Sequence, residues 1–174
     1  FVPNFGMGLQ DVKAIVQQFS RKVDVHLMIQ NPSAYVELFA SLGVDILYFH
    51  PEADFHPART LQKIVDCGVA PGIAINPGTS FETIEPLLYL AEYVLVMTVN
   101  PGFAGQSYLS FVDPKIEKLV CHKKRYDYQV MIDGACSPEH IQSLSQKGVD
   151  GFVLGTSALF GKMRPYRDIL KELR

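Results

Sequence analysis

Acidic and imidazole side chains interrupt several apolar runs of this sequence. Asp133 ends the run Tyr128–Ile132, where an ionised carboxylate is costly unless a metal ion or a substrate group pairs with it. His26 lies inside the run Val23–Ile29, where it is either a ligand or a hydrogen-bonded residue of the core. The same two alternatives hold for His50, which follows the next apolar run. These residues indicate a site for a metal ion or a polar substrate at the ends of buried strands.

Glycine-rich segments point to a second kind of chemistry, the binding of anions through the backbone. Two glycines flank small and aromatic side chains in Gly102–Gly105, so that backbone N–H groups can converge on a phosphate. A flexible lid is the competing interpretation, and the two are compatible because lids often close over phosphates. Gly155-Thr156-Ser157 precedes a helix-like segment and offers a second set of backbone donors. Asn76–Thr79, in contrast, has the sequence of an ordinary turn.

The elements that must position these residues alternate along the chain. Short runs rich in β-branched and aromatic residues predict six parallel strands covered on both faces: Val23–Ile29, Val44–Phe49, Val69–Ile75, Tyr93–Val99, Tyr128–Ile132 and Gly151–Leu154. Helical spacing, caps and turn residues predict seven helices: about Leu9–Phe19, Asn31–Gly43, Pro57–Asp66, Ser80–Leu90, Asp113–Lys123, Ser137–Gln146 and Pro165–Leu173. Asn31 is expected to cap the second of these. Strands that alternate with helices indicate βαβ units and a parallel sheet.

The number of units separates two α/β architectures. Six strands fit an open doubly wound sheet, but no Gly-x-Gly-x-x-Gly follows the first strand. The glycine-rich segments instead come late in the chain, as in (β/α)8 barrels. The helix Leu9–Phe19 has no strand before it, and two further strands would complete the eight of a barrel. We therefore predict a single domain over residues 1–174, a (β/α)8 TIM barrel whose first two strands are missing from this chain.

Composition and charge exclude several classes of function. The 174 residues, 48% hydrophobic and 20% charged, suffice for one ordinary core. A net charge of −2 gives no general attraction to nucleic acid or to an anionic membrane, and no apolar run approaches the roughly 18 residues of a membrane span. Three widely spaced cysteines form neither a disulfide framework nor a metal pair, which is typical of a reducing compartment. We expect a cytoplasmic protein with a small-molecule ligand.

Five stretches of the sequence resemble, in order, the motifs of ribulose-phosphate 3-epimerases. They are Asp24–Met28, Asn76–Thr79, Val96–Phe103, Ile132–Gly134 and Gly155–Ser157. The resemblance covers the whole chain, and Val-Met-Thr-Val-x-Pro-Gly-Phe is specific to that family. The opening Phe1-Val2-Pro3-Asn4 resembles the end of a family motif that follows the second barrel strand. The resemblance therefore implies a TIM barrel of the ribulose-phosphate-binding type, with a His and an Asp of the family motif upstream of Phe1.

The resemblance also implies a role for each matching residue. His26 is expected to bind a metal ion and to contact the substrate. Asp133 is expected to be both a metal ligand and one of two catalytic carboxylates, while the other His and Asp ligands would be those upstream. Residues expected at the phosphate are Gly102, Phe103, Ala104 and Gly105 in a mobile loop, and Gly134, Ala135, Gly155 and Thr156 in a fixed cradle. Met28 and Met97 match methionines that line the reacting carbons.

The implied reaction is the metal-dependent inversion of C3 in a ketose phosphate. A proton next to the carbonyl is removed and another is returned to the opposite face, through an enediolate whose charge a divalent cation stabilises. The ligand set suits zinc, with iron, manganese or cobalt as alternatives. The expected partner is the sugar phosphate, and we expect a homo-oligomer, as many family members are.

Several variant residues leave the sugar open. Many family members have Asp-Gly-Gly and Phe-Gly-Gly where this chain has Asp133-Gly134-Ala135 and Phe103-Ala104-Gly105. Asp133–Cys136 and His50-Pro51-Glu52 resemble the allulose-6-phosphate 3-epimerase branch. We favour conversion of D-ribulose 5-phosphate to D-xylulose 5-phosphate, and D-allulose 6-phosphate is the alternative.

Two other classes of protein fit part of the pattern. A decarboxylase or aldolase barrel would share the late phosphate loops, but such enzymes need a catalytic lysine on a central strand, and Lys22 only borders the first predicted strand. A catalytically inactive paralogue would serve as a phosphate-binding module. The presence of His26 and Asp133 argues against the inactive paralogue.

Overall fold

The six predicted strands form one parallel sheet in a computed structural model that describes residues 1–2 and 6–173. The strands are β1 (Asp24–Leu27), β2 (Ile46–Phe49), β3 (Ala70–Ile75), β4 (Tyr93–Met97), β5 (Gln129–Asp133) and β6 (Gly151–Val153). The helices are α1 (Leu9–Gln18), α2 (Val36–Ser41), α3 (Pro57–Asp66), α4 (Phe81–Ile84), α5 (Asp113–Tyr126), α6 (Pro138–Lys147) and α7 (Tyr166–Glu172). All six strands and seven helices are thus confirmed, while Pro3 and Asn4 of the opening motif lie outside the described residues.

The strand order decides between the two architectures. Neighbouring strands follow one another in chain order from β1 to β6, and every pair is parallel. A doubly wound sheet reverses its order at a switch point, so that alternative is wrong, and the sequential order is that of a (β/α) barrel. Within the described residues, β1 pairs only with β2 and β6 only with β5.

The sheet is strongly curled. His26 lies on β1 and Asp133 on β5, and in a flat sheet four steps of about 4.8 Å would separate these strands by about 19 Å. Instead, Nδ1 of His26 lies 3.6 Å from Oδ2 of Asp133. Side chains from opposite parts of the sheet therefore meet across its concave face, as they do inside a barrel.

Two apolar layers follow from the alternation of side chains along each strand. The outward residues are buried under the helices and include Leu27, Leu47, Phe49, Ile73, Ile75, Val94, Val96, Val130 and Ile132. The inward residues Ile46, Tyr48, Ala74, Tyr93 and Leu95 form a second buried cluster inside the curl. Buried side chains therefore fill the inside of the curled sheet below the carboxyl ends of the strands.

Two predicted helices begin or continue differently from expectation. The segment Ser80–Leu90 is α-helical only over Phe81–Ile84 and then forms a 3₁₀ turn, because Pro86 cannot donate the next backbone bond and its ring crowds the preceding turn. Asn31 adopts the left-handed backbone conformation, with φ of 52°, and its side chain makes no cap bond. The predicted asparagine cap is therefore wrong, and a 3₁₀ turn precedes α2.

Gly72 creates the space that the largest inward side chain needs. A Cβ atom at position 72 would lie 2.4 Å from Cδ1 of Tyr48, so the tyrosine ring crosses the sheet directly over the glycine backbone. Tyr48 is fully buried and meets the rings of His26 and Tyr93 edge-on. This packing places an aromatic layer directly beneath His26.

Replacing Gly72 with alanine should lower the free energy of unfolding by roughly 1–3 kcal/mol, because the buried Tyr48 ring has no room to move aside. Urea denaturation measures this change. Gly78→Ala is the matched control, since a Cβ at position 78 would meet nothing within 4 Å, and we expect it to stay within about 0.5 kcal/mol of the parent chain. Equal losses in both variants would contradict the role given to Gly72.

Candidate active site

The carboxyl ends of the parallel strands form one rim, where the predicted residues meet. Met97 and Asp133 end β4 and β5, and they share the concave face because they are register partners. His26 lies near the end of β1, and Met28 follows that strand. Residues from three strands are therefore brought to the same end of the sheet.

A pocket of about 290 Å³ opens at this rim. Its lining includes Asp133, both methionines and all eight residues expected at the phosphate: Gly102, Phe103, Ala104, Gly105, Gly134, Ala135, Gly155 and Thr156. His26 does not line the pocket, but Nδ1 of its ring lies 3.6 Å from Oδ2 of Asp133, which does. The structure therefore assembles every predicted site residue in one place.

Free backbone donors line part of the pocket. Within the described residues, the N–H groups of Gly134, Ala135, Gly155 and Thr156 make no hydrogen bond to the rest of the chain. Such groups are available to an anion. The helix expected directly after Ser157 is wrong, since residues 156–161 form turns and the next helix is α7. The donors at Gly155 and Thr156 therefore belong to a turn, without a helix dipole behind them.

Hydrogen bonds fix the cradle at Gly134 and Ala135. Thr98 is buried, and its hydroxyl donates to the carbonyl oxygen of Gly134. Ala135 has a left-handed backbone, with φ of 46°, which is unfavourable for a residue with a Cβ. Its carbonyl oxygen accepts bonds from the backbone N–H of Ser137 at 2.8 Å and from Nδ1 of His140 at 2.9 Å. These bonds hold the strained turn in place.

The loop Gly102–Gly105 covers one side of the pocket. Its residues are mostly exposed, with Phe103 63% exposed. Nε2 of Gln106 donates to the carbonyl oxygens of Asn100 at 2.6 Å and Phe103 at 2.8 Å. The side chain of Gln106 therefore ties the two ends of the loop together while leaving its tip free to contact a ligand.

His26 continues into a chain of polar groups behind the pocket. Its Nε2 lies 2.8 Å from Nε2 of His50, and Nδ1 of His50 lies 3.5 Å from Oε2 of Glu52. His50 is fully buried, and this burial lowers the pKa of its imidazole. Of the two alternatives left open for His50, the interior hydrogen-bonding role is the one observed.

Glu52 is held as a carboxylate by several donors. Burial alone would raise its pKa, but the neighbouring imidazole of His50 and hydrogen bonds from the Thr79 hydroxyl and the backbone N–H of Asn76 outweigh burial and lower the pKa to about 2. The Asn76 bond to Oε1 measures 2.9 Å, and the Thr79 hydroxyl donates to the same oxygen. The Asn76–Thr79 turn thus supports the site by holding Glu52.

His26 and Asp133 fit a metal ion as two ligands. Nitrogen and oxygen ligands lie about 2.0–2.2 Å from zinc, so a pair separated by 3.6 Å can touch one ion. Within residues 1–2 and 6–173, no group of three or more His, Cys, Asp or Glu side chains is placed to hold a metal. The described residues therefore offer two side chains to a divalent cation at this point.

Several residues that line the pocket were given no role from the sequence. They are Val99, Asn100, Pro101, Gln106, Cys136 and Val153. Their positions next to the predicted glycines were the available signal. Cys136 is buried, and burial raises the pKa of its thiol to about 12, so it is a neutral wall of the pocket and not a nucleophile.

Comparisons with known proteins identify a family for this chain. The model of the ribulose-phosphate 3 epimerase family matches residues 1–160. The chain therefore belongs to the ribulose-phosphate 3-epimerase family. Its epimerase relatives include a protein from Aquifex aeolicus, 39% identical over 92% of this chain and 73% of that protein. Another, from Helicobacter pylori, is 41% identical over 94% of this chain and 76% of that protein. The family is one of isomerases.

Solved structures of lower identity share the fold. A mutant tryptophan synthase α-subunit from Pyrococcus furiosus superposes with a TM-score of 0.65 at 18% identity, over 97% of this epimerase-family chain and 73% of that subunit. A native KDPGal structure gives 0.61 at 17% identity, over 94% and 71% of the two chains. In the part of the chain that the structure describes, no helix combines the length and the apolar character needed to cross a membrane.

Glu52 should give stability a defined pH dependence. Because its folded pKa of about 2 lies below the ordinary 4.5, its contribution is fully present above about pH 4.5 and is lost as the pH falls toward 2. We expect Glu52→Gln to cost at most roughly 3 kcal/mol at pH 7, and we expect this difference to shrink through that window.

Urea denaturation of both chains at several pH values tests this expectation. Glu37→Gln is the control, because Glu37 is 76% exposed on α2. A difference between parent and Glu52→Gln that stays constant from pH 7 to pH 3 would argue against the buried carboxylate.

Proposed function

We propose that this protein catalyses the metal-dependent 3-epimerisation of a ketose phosphate, with D-ribulose 5-phosphate and D-xylulose 5-phosphate as the interconverted sugars. The observation that carries the proposal is the Asp133–His26 pair, separated by 3.6 Å, at the pocket whose lining also presents four free backbone donors. A carboxylate for proton transfer and a cradle for phosphate thus share one pocket.

Asp133 is assigned the proton transfer on one face of the substrate. Its side chain is 22% exposed, so it reaches the pocket while remaining shielded from bulk water. Removal of a proton next to a carbonyl needs a base within hydrogen-bond reach of that carbon. The opposite face requires a second carboxylate, and we assign it to the Asp of the family motif upstream of Phe1.

The methionines are assigned the exclusion of water. Met97 is buried and Met28 half-buried, and both line the pocket with Asp133. Thioethers are apolar and polarisable and make only weak hydrogen bonds. By excluding water, they keep solvent from competing for the enediolate oxygens. The absence of water strengthens the electrostatic interactions in the pocket.

His26 and Asp133 would hold the cation. When bound there, a divalent ion, with zinc favoured and iron, manganese or cobalt as alternatives, would stabilise negative charge on the substrate oxygens by several kcal/mol. The protein's own contribution is to place the imidazole and the carboxylate on opposite strands of the curled sheet, where the substrate can lie against both.

The backbone cradle is assigned the phosphate. Gly134, Ala135, Gly155 and Thr156 offer N–H donors, and binding at this distant group can orient the reacting carbon. The methyl groups of Ala104 and Ala135 remain the reason to keep D-allulose 6-phosphate as the alternative substrate.

The rival aldolase or decarboxylase activity has less support. Among the described residues that line the pocket, none is a lysine. Lys115, which is half-buried, instead donates to the carbonyl oxygens of Asn76, Pro77 and Thr79. A Schiff base requires a lysine that the substrate can reach, and this pocket offers none among those residues.

The proposal also includes two strands beyond the six described. Two further strands between β6 and β1 would close an eight-stranded barrel and would bring the second His and Asp to the rim. The relatives, of which the chain spans 73% and 76%, support that completion. A cytoplasmic location and a homo-oligomer remain proposals from the sequence.

Asp133→Asn in the complete gene product should lower kcat by about 10²–10⁴, because an amide cannot exchange the proton. Coupled assays with D-ribulose 5-phosphate and D-allulose 6-phosphate, with and without a chelator, measure this and identify the sugar. Asp127→Asn is the control, since Asp127 is exposed at a left-handed position that asparagine tolerates. Chelator-insensitive turnover, or no turnover of either sugar by the folded, metal-loaded protein, would refute the proposed reaction.

Gly155→Ala should raise KM about tenfold with little change in kcat, because a methyl group enters the phosphate cradle but not the reacting end. A Cβ at position 155 would meet no protein atom within 4 Å, so the fold should be unaffected. Steady-state kinetics and urea denaturation measure the two effects, with Gly78→Ala as the control. A loss of stability with unchanged KM would place the phosphate elsewhere.

A further inference from the structure

We propose that Glu52 is a positioning residue that sets the tautomers of His50 and His26, so that His26 presents an unprotonated Nδ1 toward Asp133. The inference rests on the proposed function for its meaning, since an unprotonated Nδ1 is what a cation at His26 and Asp133 requires. Its evidence is the arrangement of the three side chains behind the pocket.

The contact between the two imidazoles fixes one proton. Nε2 of His26 and Nε2 of His50 are 2.8 Å apart, and the rings are stacked with centroids at 5.0 Å. Two protonated nitrogens at this distance would repel, and two lone pairs would leave a buried acceptor unsatisfied. One ring therefore donates and the other accepts.

Glu52 decides which ring donates. Its carboxylate accepts hydrogen bonds and cannot donate them, and Oε2 faces Nδ1 of His50 at 3.5 Å. With the proton of His50 on Nδ1, its Nε2 is the acceptor, and Nε2–H of His26 is the donor. The lone pair on Nδ1 of His26 then faces Oδ2 of Asp133 across a 3.6 Å gap, and these two side chains are the ones that would hold the cation.

The reverse arrangement, in which His50 carries its proton on Nε2, is disfavoured at the buried end of this row of three side chains. It would turn the lone pair on Nδ1 of His50 toward the carboxylate of Glu52, and that nitrogen has no hydrogen-bond partner of normal geometry among the described residues. His50 is fully buried, so water does not relieve the contact. Asp133 could accept a hydrogen bond from Nδ1–H of His26 in this arrangement, but the side chains of His26 and Asp133 are 15% and 22% exposed. Water can therefore bond to both of them in either arrangement, whereas the buried Nδ1 of His50 faces only Glu52.

The carboxylate itself cannot rotate freely. Oε1 accepts from the backbone N–H of Asn76 at 2.9 Å and from the Thr79 hydroxyl. Lys115 on α5 in turn holds this turn by bonds of 2.8 Å and 2.9 Å to the carbonyl oxygens of Asn76 and Thr79. Oε2 therefore remains directed at His50.

Glu52→Gln should reverse the direction of the hydrogen bond between the two imidazoles without moving the three side chains. The backbone N–H of Asn76 requires an acceptor, so the amide oxygen of the glutamine takes the place of Oε1. The amide NH₂ then faces Nδ1 of His50 and donates to it. His50 must carry its proton on Nε2, His26 must accept it, and Nδ1 of His26 becomes protonated toward Asp133.

Nitrogen-15 NMR of the histidine rings reads the tautomers directly, with no metal and no turnover. In the parent chain, we expect Nδ1 of His26 to be unprotonated and Nδ1 of His50 to carry the proton. We expect the opposite in Glu52→Gln, and no change in Glu37→Gln, which alters an exposed carboxylate in the same way. Zinc affinity, measured by competition with a chromophoric chelator, should fall about 10–100-fold in Glu52→Gln and remain unchanged in the control.

Each result decides the assignment. A proton on Nδ1 of His26 in the parent chain would overturn it, even if Glu52→Gln fails to fold. A folded Glu52→Gln variant with unchanged tautomers or unchanged zinc affinity would also overturn it. The expected tautomers and zinc affinities, in a complete gene product that turns over neither sugar, would support the positioning role while refuting the proposed reaction.

Discussion

The curl of the parallel sheet is the constraint on which the site depends. His26 and Asp133 belong to strands with three others between them, and only a strongly curved sheet brings their side chains within 3.6 Å. The same curvature turns the inward residues into a buried layer and gathers the strand ends at one rim. Tyr48 and the bare backbone of Gly72 show how tightly that layer is packed. Stability and site geometry therefore have a common origin in side chains that point into the curl.

Much of the fold and site is legible in the sequence because it depends on local pattern. Apolar runs give the strands, and Asp133 attracts notice because a carboxylate at the end of such a run needs a partner. Interactions between strands are not legible in this way. Nothing adjacent to His50 in the sequence reveals that it faces His26, or that the Asn76–Thr79 turn holds Glu52. The helix expected after Ser157 and the cap expected at Asn31 were wrong because local preference yielded to tertiary context.

The polar residues near the rim are of two kinds. Some line the pocket, and others hold the pocket residues in place. Asp133 lines the pocket. His50 lies behind His26 and contacts it through a hydrogen bond and ring stacking, and Glu52 in turn lies beside His50. Thr98 and His140 serve the cradle in the same way by bonding the carbonyl oxygens of Gly134 and Ala135. A sequence comparison that weighs only ligand contacts would overlook these residues, although each constrains the orientation of one that does make contact.

A cradle made of peptide dipoles has a consequence for how the protein selects among anions. No lysine or arginine lines the pocket within the described residues, and the chain has a net charge of −2. Dipoles act over short distances, whereas clustered cationic side chains attract anions from a distance. Apart from the proposed cation, the described residues of the pocket therefore carry no charge that would attract phosphorylated metabolites or polyanions from a distance. Under the proposed function, the pocket would distinguish phosphate esters by their shape at contact.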